Sequence, residues 1–380
     1  MWCQSLALRI GSISCLVFNR IQEPRYCLSE SSSKPRASYL QAAENDSELI
    51  GRRSEMVKYY LQDVRKLAQR QTSKYATVKS SIRVAQWNLN VLHGADFKSP
   101  VSAIDAAVIV DSLQADIVLI QEAGEQNFIK KNPQYPDSSS RILQFHDELK
   151  RRGYELVFAD GVPNPAMLAT KLKIVKVFDC FSIDCGGRNS HPHYDTMMKD
   201  EYDFETRSAR FVQLEFDLKL GEASKAYSKP NIAVCITHLH HREDGLPGVR
   251  LGEIRTILER RPLAPEFTIL ATDFNWARRK DYNVREWAII SAGLDKVKQP
   301  HNDGVAEELE SHGFVSTYDR MPGPHPKLMF THWTSTIVDF AYVHAKNPLS
   351  WQVISVQVVP SPLSDHLPII HDIEVDLEKL

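Results

Sequence analysis

The chain has 380 residues, 43% of them hydrophobic and 25% charged, with 20 prolines and 16 glycines. That composition excludes a collagen, a coiled coil and a wholly disordered chain, and no apolar run reaches the roughly 18 residues that a membrane helix needs. The net charge of −2 is unevenly spread: residues 1–75 carry 12 Lys and Arg against 7 Asp and Glu, and the remainder 34 against 41, which argues against a tight non-specific binder of duplex nucleic acid in the main body but leaves a nuclease open.

Residues 1–53 read as an N-terminal extension. Over its first 40 positions Arg9, Arg20, Arg25, Lys34 and Arg36 are set among serines, with only Glu23 and Glu30 opposing them. Such a composition suits a mitochondrial or plastid address on an intracellular protein, or a plain disordered tail. Six cysteines without a C-x-x-C pair give neither a disulfide framework nor a thiolate zinc site, and free thiols in a reducing compartment are expected. Ser54 opens a helical stripe of Met56, Tyr60, Val64 and Leu67, which with a polar linker fills 54–80.

From Ser81 to position 376 short apolar strands alternate with amphipathic helices, the pattern of an α/β domain. Ile82, Val84 and Gln86 alternate with their neighbours in a strand that ends in Trp87-Asn88-Leu89-Asn90. Ile104, Ala107, Val108 and Asp111-Ser112-Leu113 predict a helix, and the run over 116–120 a buried strand ending in Gln121-Glu122. A helix over 141–150 stops at Gly153. A polar loop follows over 186–206, then strands over 210–216 and 231–237, the second leading into His238. Leu251, Ile254, Ile257 and Leu258 line a helix, and the strand over 267–272 ends in Asp273-Phe274-Asn275. Strands over 337–343 and 351–359 precede a loop with Ser364-Asp365-His366, and the last strand shows period two at Ile369, His371, Ile373, Val375 and Leu377.

Asn88, Glu122, His238 and Asp273 thus each close a strand-like run. In layered α/β proteins strand carboxyl ends open onto one edge, so residues far apart in sequence can converge there. Taken singly they have plain structural readings: Glu122 a solvated strand end, His238 a core histidine, Asp273 and Asn275 an Asx-turn, Asp365-His366 a helix cap. Together, carboxylates, amides and imidazoles at one edge are costly to bury unless paired or metal-bound.

WNLN with Asn88, DIVLIQE with Glu122, THLHH with His238, TDFN with Asp273 and Asn275, IVDFAYV with Asp339 and LSDHLPI with Asp365 and His366 follow one another in a particular order. Over 81–376 this order resembles the endonuclease/exonuclease/phosphatase superfamily, which includes pancreatic-type DNases, apurinic endonucleases, neutral sphingomyelinases, inositol-polyphosphate 5-phosphatases, deadenylases and tyrosyl-DNA phosphodiesterases. The resemblance implies a four-layer α/β sandwich, two mixed β-sheets face to face with helices outside (the DNase I-like fold), and a site at one end. It implies Mg²⁺, or Mn²⁺ as a substitute, held by Glu122 with Asn90 and Asp365. Mg²⁺ binds few carboxylates and keeps several waters. It implies that Asp273 positions or deprotonates water, that Asn275 orients it, and that Asn88 and His238 bind phosphate oxygens. His366, paired with Asp339, would hold the phosphate or act as acid/base, and Asp273 and His366 both stand as candidate bases.

The sequence also departs from the family. Asn90 stands where several DNA-repair members carry aspartate, and Thr272 replaces the usual glycine before D-F-N, so a changed strand exit is expected. THLHH followed by Arg250 makes His241 and Arg250 candidate phosphate binders, and Trp276, with Arg278 and Arg279 after it, a candidate substrate-side wall. Trp87 is read as packing. His325-Pro-Lys327 starts an H-x-K pattern, but His332 stands where a phospholipase D site needs aspartate. His191 and His193 are read as loop residues. The readings are a Mg²⁺-dependent phosphodiesterase acting on nucleic acid or a nucleotide, a phosphatase or phospholipid or inositol-phosphate phosphodiesterase of the same superfamily, and a non-catalytic module retaining the fold.

Overall fold

Alternation along the first strand decides which residues face which layer. In β1 (Lys79–Asn88), Ile82 and Val84 join one buried cluster while Ala85 and Trp87 join another. Side chains in a strand point alternately to opposite faces, so Gln86 and Asn88 share the Ile82 face. The structure, a computed structural model, describes residues 79–93, 100–123, 138–160, 165–183, 207–216, 230–240, 248–296, 300–321, 330–332, 336–361, 363–376 and 379. The extension over 1–53, the 54–67 stripe, the 186–206 loop, His191, His193 and His325 lie outside the described residues.

After β1 come α1 (Ala103–Ser112), β2 (Ile117–Gln121), α2 (Ser138–Arg151), β3 (Glu155–Phe158), β4 (Met167–Thr170), β5 (Lys173–Val177), β6 (Phe181–Ser182), β7 (Ser208–Glu215) and β8 (Asn231–Thr237). They are followed by α3 (Val249–Arg260), β9 (Phe267–Asp273), α4 (Val284–Lys296), α5 (Val305–Ser311), β10 (Val315–Ser316), α6 (Thr317–Arg320), β11 (Asp339–Ala345), β12 (Trp351–Val358) and β13 (Ile369–Asp376). One sheet runs β12-β13-β1-β2-β4-β3, the other β10-β11-β9-β8-β7-β5 with β6 on β7. Each is mixed, with one parallel pair, β1 with β2 and β8 with β9, among antiparallel neighbours.

The sheets share one core. Ile82, Val84, Ile117 and Leu119 from the first meet Phe211, Val234, Ile269 and Phe340 from the second. On the other face of the first sheet, Ala85, Trp87, Val118 and Ile120 pack with Ala106 and Val110 of α1 and Phe145 and Leu149 of α2. Ile254, Ile257, Leu294 and Leu309 bring α3, α4 and α5 into the shared core. This is the expected α/β sandwich, two mixed sheets flanked by helices. No helix among the described residues is long and apolar enough to cross a membrane.

Local chemistry accounts for most element ends. Ser102 Oγ accepts from Asp105 N at 3.3 Å and caps α1. Gly153, at φ 83°, closes α2 as its N–H donates to Lys150 O and that of Tyr154 to Leu149 O. The α1 stripe differs from expectation: Ile104 is 44% exposed, and Ala103, Ala106, Ala107 and Val110 form the buried face. The strand expected over 337–343 starts at Asp339, because the Ile337 and Val338 N–H groups donate to Tyr282 Oη and Thr331 Oγ1 instead of a ladder partner.

Candidate active site

The parallel pairs end at the same edge at which their antiparallel neighbours begin. Asn88 closes β1 opposite Gln121, Glu122 follows β2, His238 follows β8, and Asp273 closes β9. Asp339 opens β11, and Asp365-His366 precede β13. The structure therefore brings Asn88, Glu122, His238, Asp273, Asp339, Asp365 and His366 to one end, as the contacts below establish.

Asp273 and Asp339 are directly paired across β9 and β11. Like charges directly opposite one another destabilise a sheet, and here both carboxylates are buried. Groups from the other sheet offset the repulsion. His366 Nδ1 donates to Asp339 Oδ2 at 2.9 Å, and its Nε2 lies 3.6 Å from Asp273 Oδ2. Gln86 Nε2 donates to Asp339 Oδ1 at 3.0 Å and Asn88 Nδ2 to Asp273 Oδ2 at 3.1 Å. Burial opposes charge on His366, but Asp339, Asp273 and Asp365 outweigh it and hold the imidazolium well above the usual range. Burial would likewise raise Asp273, yet His366 and His238 hold its carboxyl well below the usual range.

The second imidazole is neutral. Burial, helped by Arg207, pushes His238 down to about 4. Arg207 Nη1 donates to His238 Nδ1 at 3.2 Å, which leaves the proton on Nε2, 3.4 Å from Asp273 Oδ2. The Asx-turn is also present: Asn275 N donates to Asp273 Oδ1 at 2.7 Å, with Asn275 left-handed at φ 53°. Asn275 Nδ2 donates to Leu239 O at 3.0 Å and lies 3.1 Å from His238 Nε2. Thr272, where the family pattern has glycine, donates its hydroxyl to Thr237 O at 2.7 Å and ties β9 to β8.

On the first sheet the oxygen donors sit on strained backbone. Asn90, Val91 and Leu92 are left-handed at φ 46°, 51° and 61°, and Glu122 at 54°, a conformation costing roughly 1–2 kcal/mol per non-glycine residue. Hydrogen bonds offset that cost: Asn90 N to Asn88 Oδ1 at 3.0 Å, Leu89 N to Gln121 O at 2.9 Å and Val101 N to Leu92 O at 2.9 Å. His146 Nε2 lies 2.7 Å from Ala123 O, holding the chain after Glu122. Asn88 Nδ2 also donates to Glu122 Oε1 at 3.2 Å, and Ser364 Oγ lies 2.7 Å from Asn88 O and 3.2 Å from Asp365 Oδ1. Glu122 and Asp365 are thus joined through Asn88. Burial opposes the Asp365 charge, but His332, His366 and Ser364 keep its carboxyl below the usual range. His332 with Asp365 and His366, and Asp273 with Asp339 and His366, are clusters able to hold a divalent ion.

Two residues expected at the substrate, Arg250 and Trp276, are buried. Arg250 is 1% exposed and Trp276 5% exposed, and the guanidinium lies over the indole at 5.4 Å. Arg250 Nε donates to Asp303 Oδ2 at 2.8 Å and Nη1 to His240 O at 3.2 Å. Arg250 thus braces the loop after β8, with Asp303 and the His240 carbonyl meeting its guanidinium inside the fold. Arg278, also buried, is held by Asp281 and Asp319. His241 lies outside the described residues. Trp87 is a packing residue whose Nε1 donates to His366 O at 3.1 Å. Sequence reading gave no site role to Gln86, Arg207, Thr331, His146 or His332. Gln86 alone carried a signal, a polar residue on the inward phase of a buried strand two positions before Asn88.

No family model matches the sequence, and no curated protein matches it. Solved structures do. An endonuclease/exonuclease/phosphatase from Beutenbergia cavernae is 15% identical with a TM-score of 0.52, covering 78% of this chain and 72% of that one. TDP2 from D. rerio, complexed with single strand DNA product, is 13% identical at a TM-score of 0.48, covering 77% and 99%. The human Nocturnin catalytic domain, with bound sulfate, is 16% identical at 0.46, covering 77% and 94%. The chain has the endonuclease/exonuclease/phosphatase fold, the one its ordered motifs resemble.

Proposed function

We propose that the chain is a Mg²⁺-dependent phosphoesterase that hydrolyses a phosphodiester by in-line attack of water, with nucleic acid or a nucleotide as substrate. The observation that carries this reading is the Asp273–His366–Asp339 arrangement, an ionised carboxylate beside an imidazolium at the meeting of two sheets. Asp273 takes the proton of the attacking water while Asn275, folded back by its Asx-turn, orients that water. The new O–P bond forms as the ester P–O bond breaks, and the leaving oxygen takes a proton from solvent water. His366, held by Asp339, and the Nε2–H of His238 face the phosphate oxygens as charge develops, and Asn88 adds its amide. Preorganised donors of this kind act strongly where water is excluded.

Glu122, Asn90 and Asp365 would hold the ion. An all-oxygen donor set with few carboxylates fits Mg²⁺, and Mn²⁺ in its place. When bound, the ion supplies positive charge to the phosphate oxygens. The acidic body favours a nucleotide or a single strand over a duplex held by many phosphate contacts. Purified protein with Mg²⁺ is offered bis(p-nitrophenyl) phosphate, single-stranded DNA, RNA, inositol phosphates and sphingomyelin. Cleavage of the generic ester and of a nucleic acid, abolished by EDTA, is expected. Turnover that survives chelation would overturn the metal dependence, and turnover of sphingomyelin or inositol phosphates alone would overturn the substrate class.

A further inference from the structure

A second donor set shares Asp365 with the proposed Mg²⁺ ligands and is built on a cross-strand pair. His332 and His366 face each other in an isolated antiparallel bridge. Flanking bonds fix it: Leu367 N donates to Thr331 O at 2.7 Å and His332 N to Thr336 O at 3.1 Å. Residues so paired place their side chains on one face, and the imidazole centroids are 4.5 Å apart. Asp365 adds a carboxylate oxygen 3.7 Å from His332 Nε2. One ligand atom from each of His332, Asp365 and His366 lies within 4.8 Å of the others. Donors on one tetrahedral ion, at bond lengths of about 2.0–2.1 Å, sit about 3.4 Å apart, so modest side-chain rotation closes the set.

The outer contacts are those that a metal-bound imidazole uses. His366 Nδ1 is tied to Asp339 Oδ2 at 2.9 Å, and Asp339 Oδ1 is in turn held by Gln86 at 3.0 Å. A carboxylate on one ring nitrogen fixes the ring and directs the other toward a ligand position. Two imidazole nitrogens with one carboxylate suit zinc-like ions, whereas Mg²⁺ prefers oxygen throughout.

We propose that His332, Asp365 and His366 form a binding site for a transition-metal dication of the Zn²⁺ class, and that its occupation inhibits hydrolysis. An ion held on His366 Nε2 occupies the face that this imidazole turns to the phosphate. The inhibition rests on the proposed hydrolase reading; the binding does not.

Co²⁺ serves as the spectroscopic probe, titrated into the full chain in excess Mg²⁺ and followed by its visible absorption. One tight equivalent is expected in the wild type, weakened at least tenfold in His332→Phe, with thermal unfolding as the check on folding. His332→Gln replaces that variant should it not fold. Equal Co²⁺ affinity in wild type and variant, or no Co²⁺ binding by the wild type, overturns the site. In parallel, Zn²⁺ is titrated into Mg²⁺-supported cleavage of bis(p-nitrophenyl) phosphate, and the variant is expected to need at least tenfold more Zn²⁺ for half inhibition. Equal Zn²⁺ sensitivity overturns the inhibitory role. A wild type without any turnover overturns the hydrolase reading and the inhibitory role with it, while the Co²⁺ titration still decides the site.

Discussion

His366 and His371 lie five positions apart, both buried, at 5% and 0% exposure, yet their protonation is driven in opposite directions. His371 sits mid-sandwich, opposite Val84 of β1, with Thr317 Oγ1 2.9 Å from its Nδ1 and the Tyr318 ring nearby. Burial alone pushes it down to about 3. His366 sits at the strand ends, where Asp339, Asp273 and Asp365 overcome the same penalty. Burial sets the cost of a charge and the neighbours decide its sign. The change takes two residues along one strand face: Val84 faces the apolar core, while Gln86 reaches a buried aspartate.

The largest break in this contrast comes from removing the charge that pairs the two sheets' contributions. Asp273→Asn is expected to lower kcat by on the order of 10²–10⁴-fold, the range for loss of a general base. The buried carboxylate accepts from Asn88 and Asn275 and faces both imidazoles, so the unfolding midpoint should fall as well, and kcat is compared at a temperature where both proteins are folded. Turnover within threefold of wild type would remove Asp273 from the chemistry.

Asp339→Asn acts one contact further out. His366 would lose its nearest anion, so its titration should move toward the ordinary imidazole range. The raised folded value adds stability that is complete below about pH 6.5 and is lost as pH rises through the folded pKa. The alkaline limb of kcat/KM, set by loss of the imidazolium, should therefore shift to lower pH in the variant, with kcat lower by on the order of 10²-fold. An unmoved alkaline limb would show that another group titrates there.

Gln86→Met tests the same edge with no ionisable group changed. The Asp339 carboxylate would lose one buried donor, at a cost of about 1–3 kcal/mol, read as a lower denaturation midpoint. That cost measures how far the partner sheet stabilises the cross-strand carboxylates, and an unchanged midpoint would show that His366 suffices.

Much of this edge was legible because each functional residue ends or precedes an apolar run. Asn88, Glu122, His238 and Asp273 could be placed at strand ends from hydrophobic patterning, and strand ends of a layered α/β fold meet. What patterning cannot see is which side chain reaches across. Gln86 meets Asp339 from 253 positions away, and Arg207 acts through His238, by fixing its tautomer and lowering its pKa. The inward turn of Arg250 needed Asp303, 53 positions on, which the spacing of THLHH and Arg250 does not contain. Short strands such as β4, four residues with every position buried, carry no alternation to read. The α1 stripe misled because its buried face is mostly alanine, whose small side chains barely mark an amphipathic helix.

The smallest effect lies in the core and tests the other half of the contrast. Thr317 Oγ1 also donates to Ala341 O at 3.2 Å, so it accepts from His371 Nδ1–H, and His371 Nε2 has no hydrogen-bond partner among the described residues. Protonating Nε2 would put a cation among apolar groups, so the folded protein keeps the ring neutral down to about pH 3. The unfolded chain binds that proton near pH 6.5, so His371 costs nothing above that value and destabilises the fold progressively below it. Between pH 7.0 and 5.5 the loss is about 1 kcal/mol. His371→Asn, which retains a donor toward Thr317, should lower the denaturation midpoint at pH 7.0 but flatten its fall with acid by that amount. Should the variant keep the full wild-type slope, the buried imidazole is not what the acid attacks, and the contrast with His366 would rest on the charged edge alone.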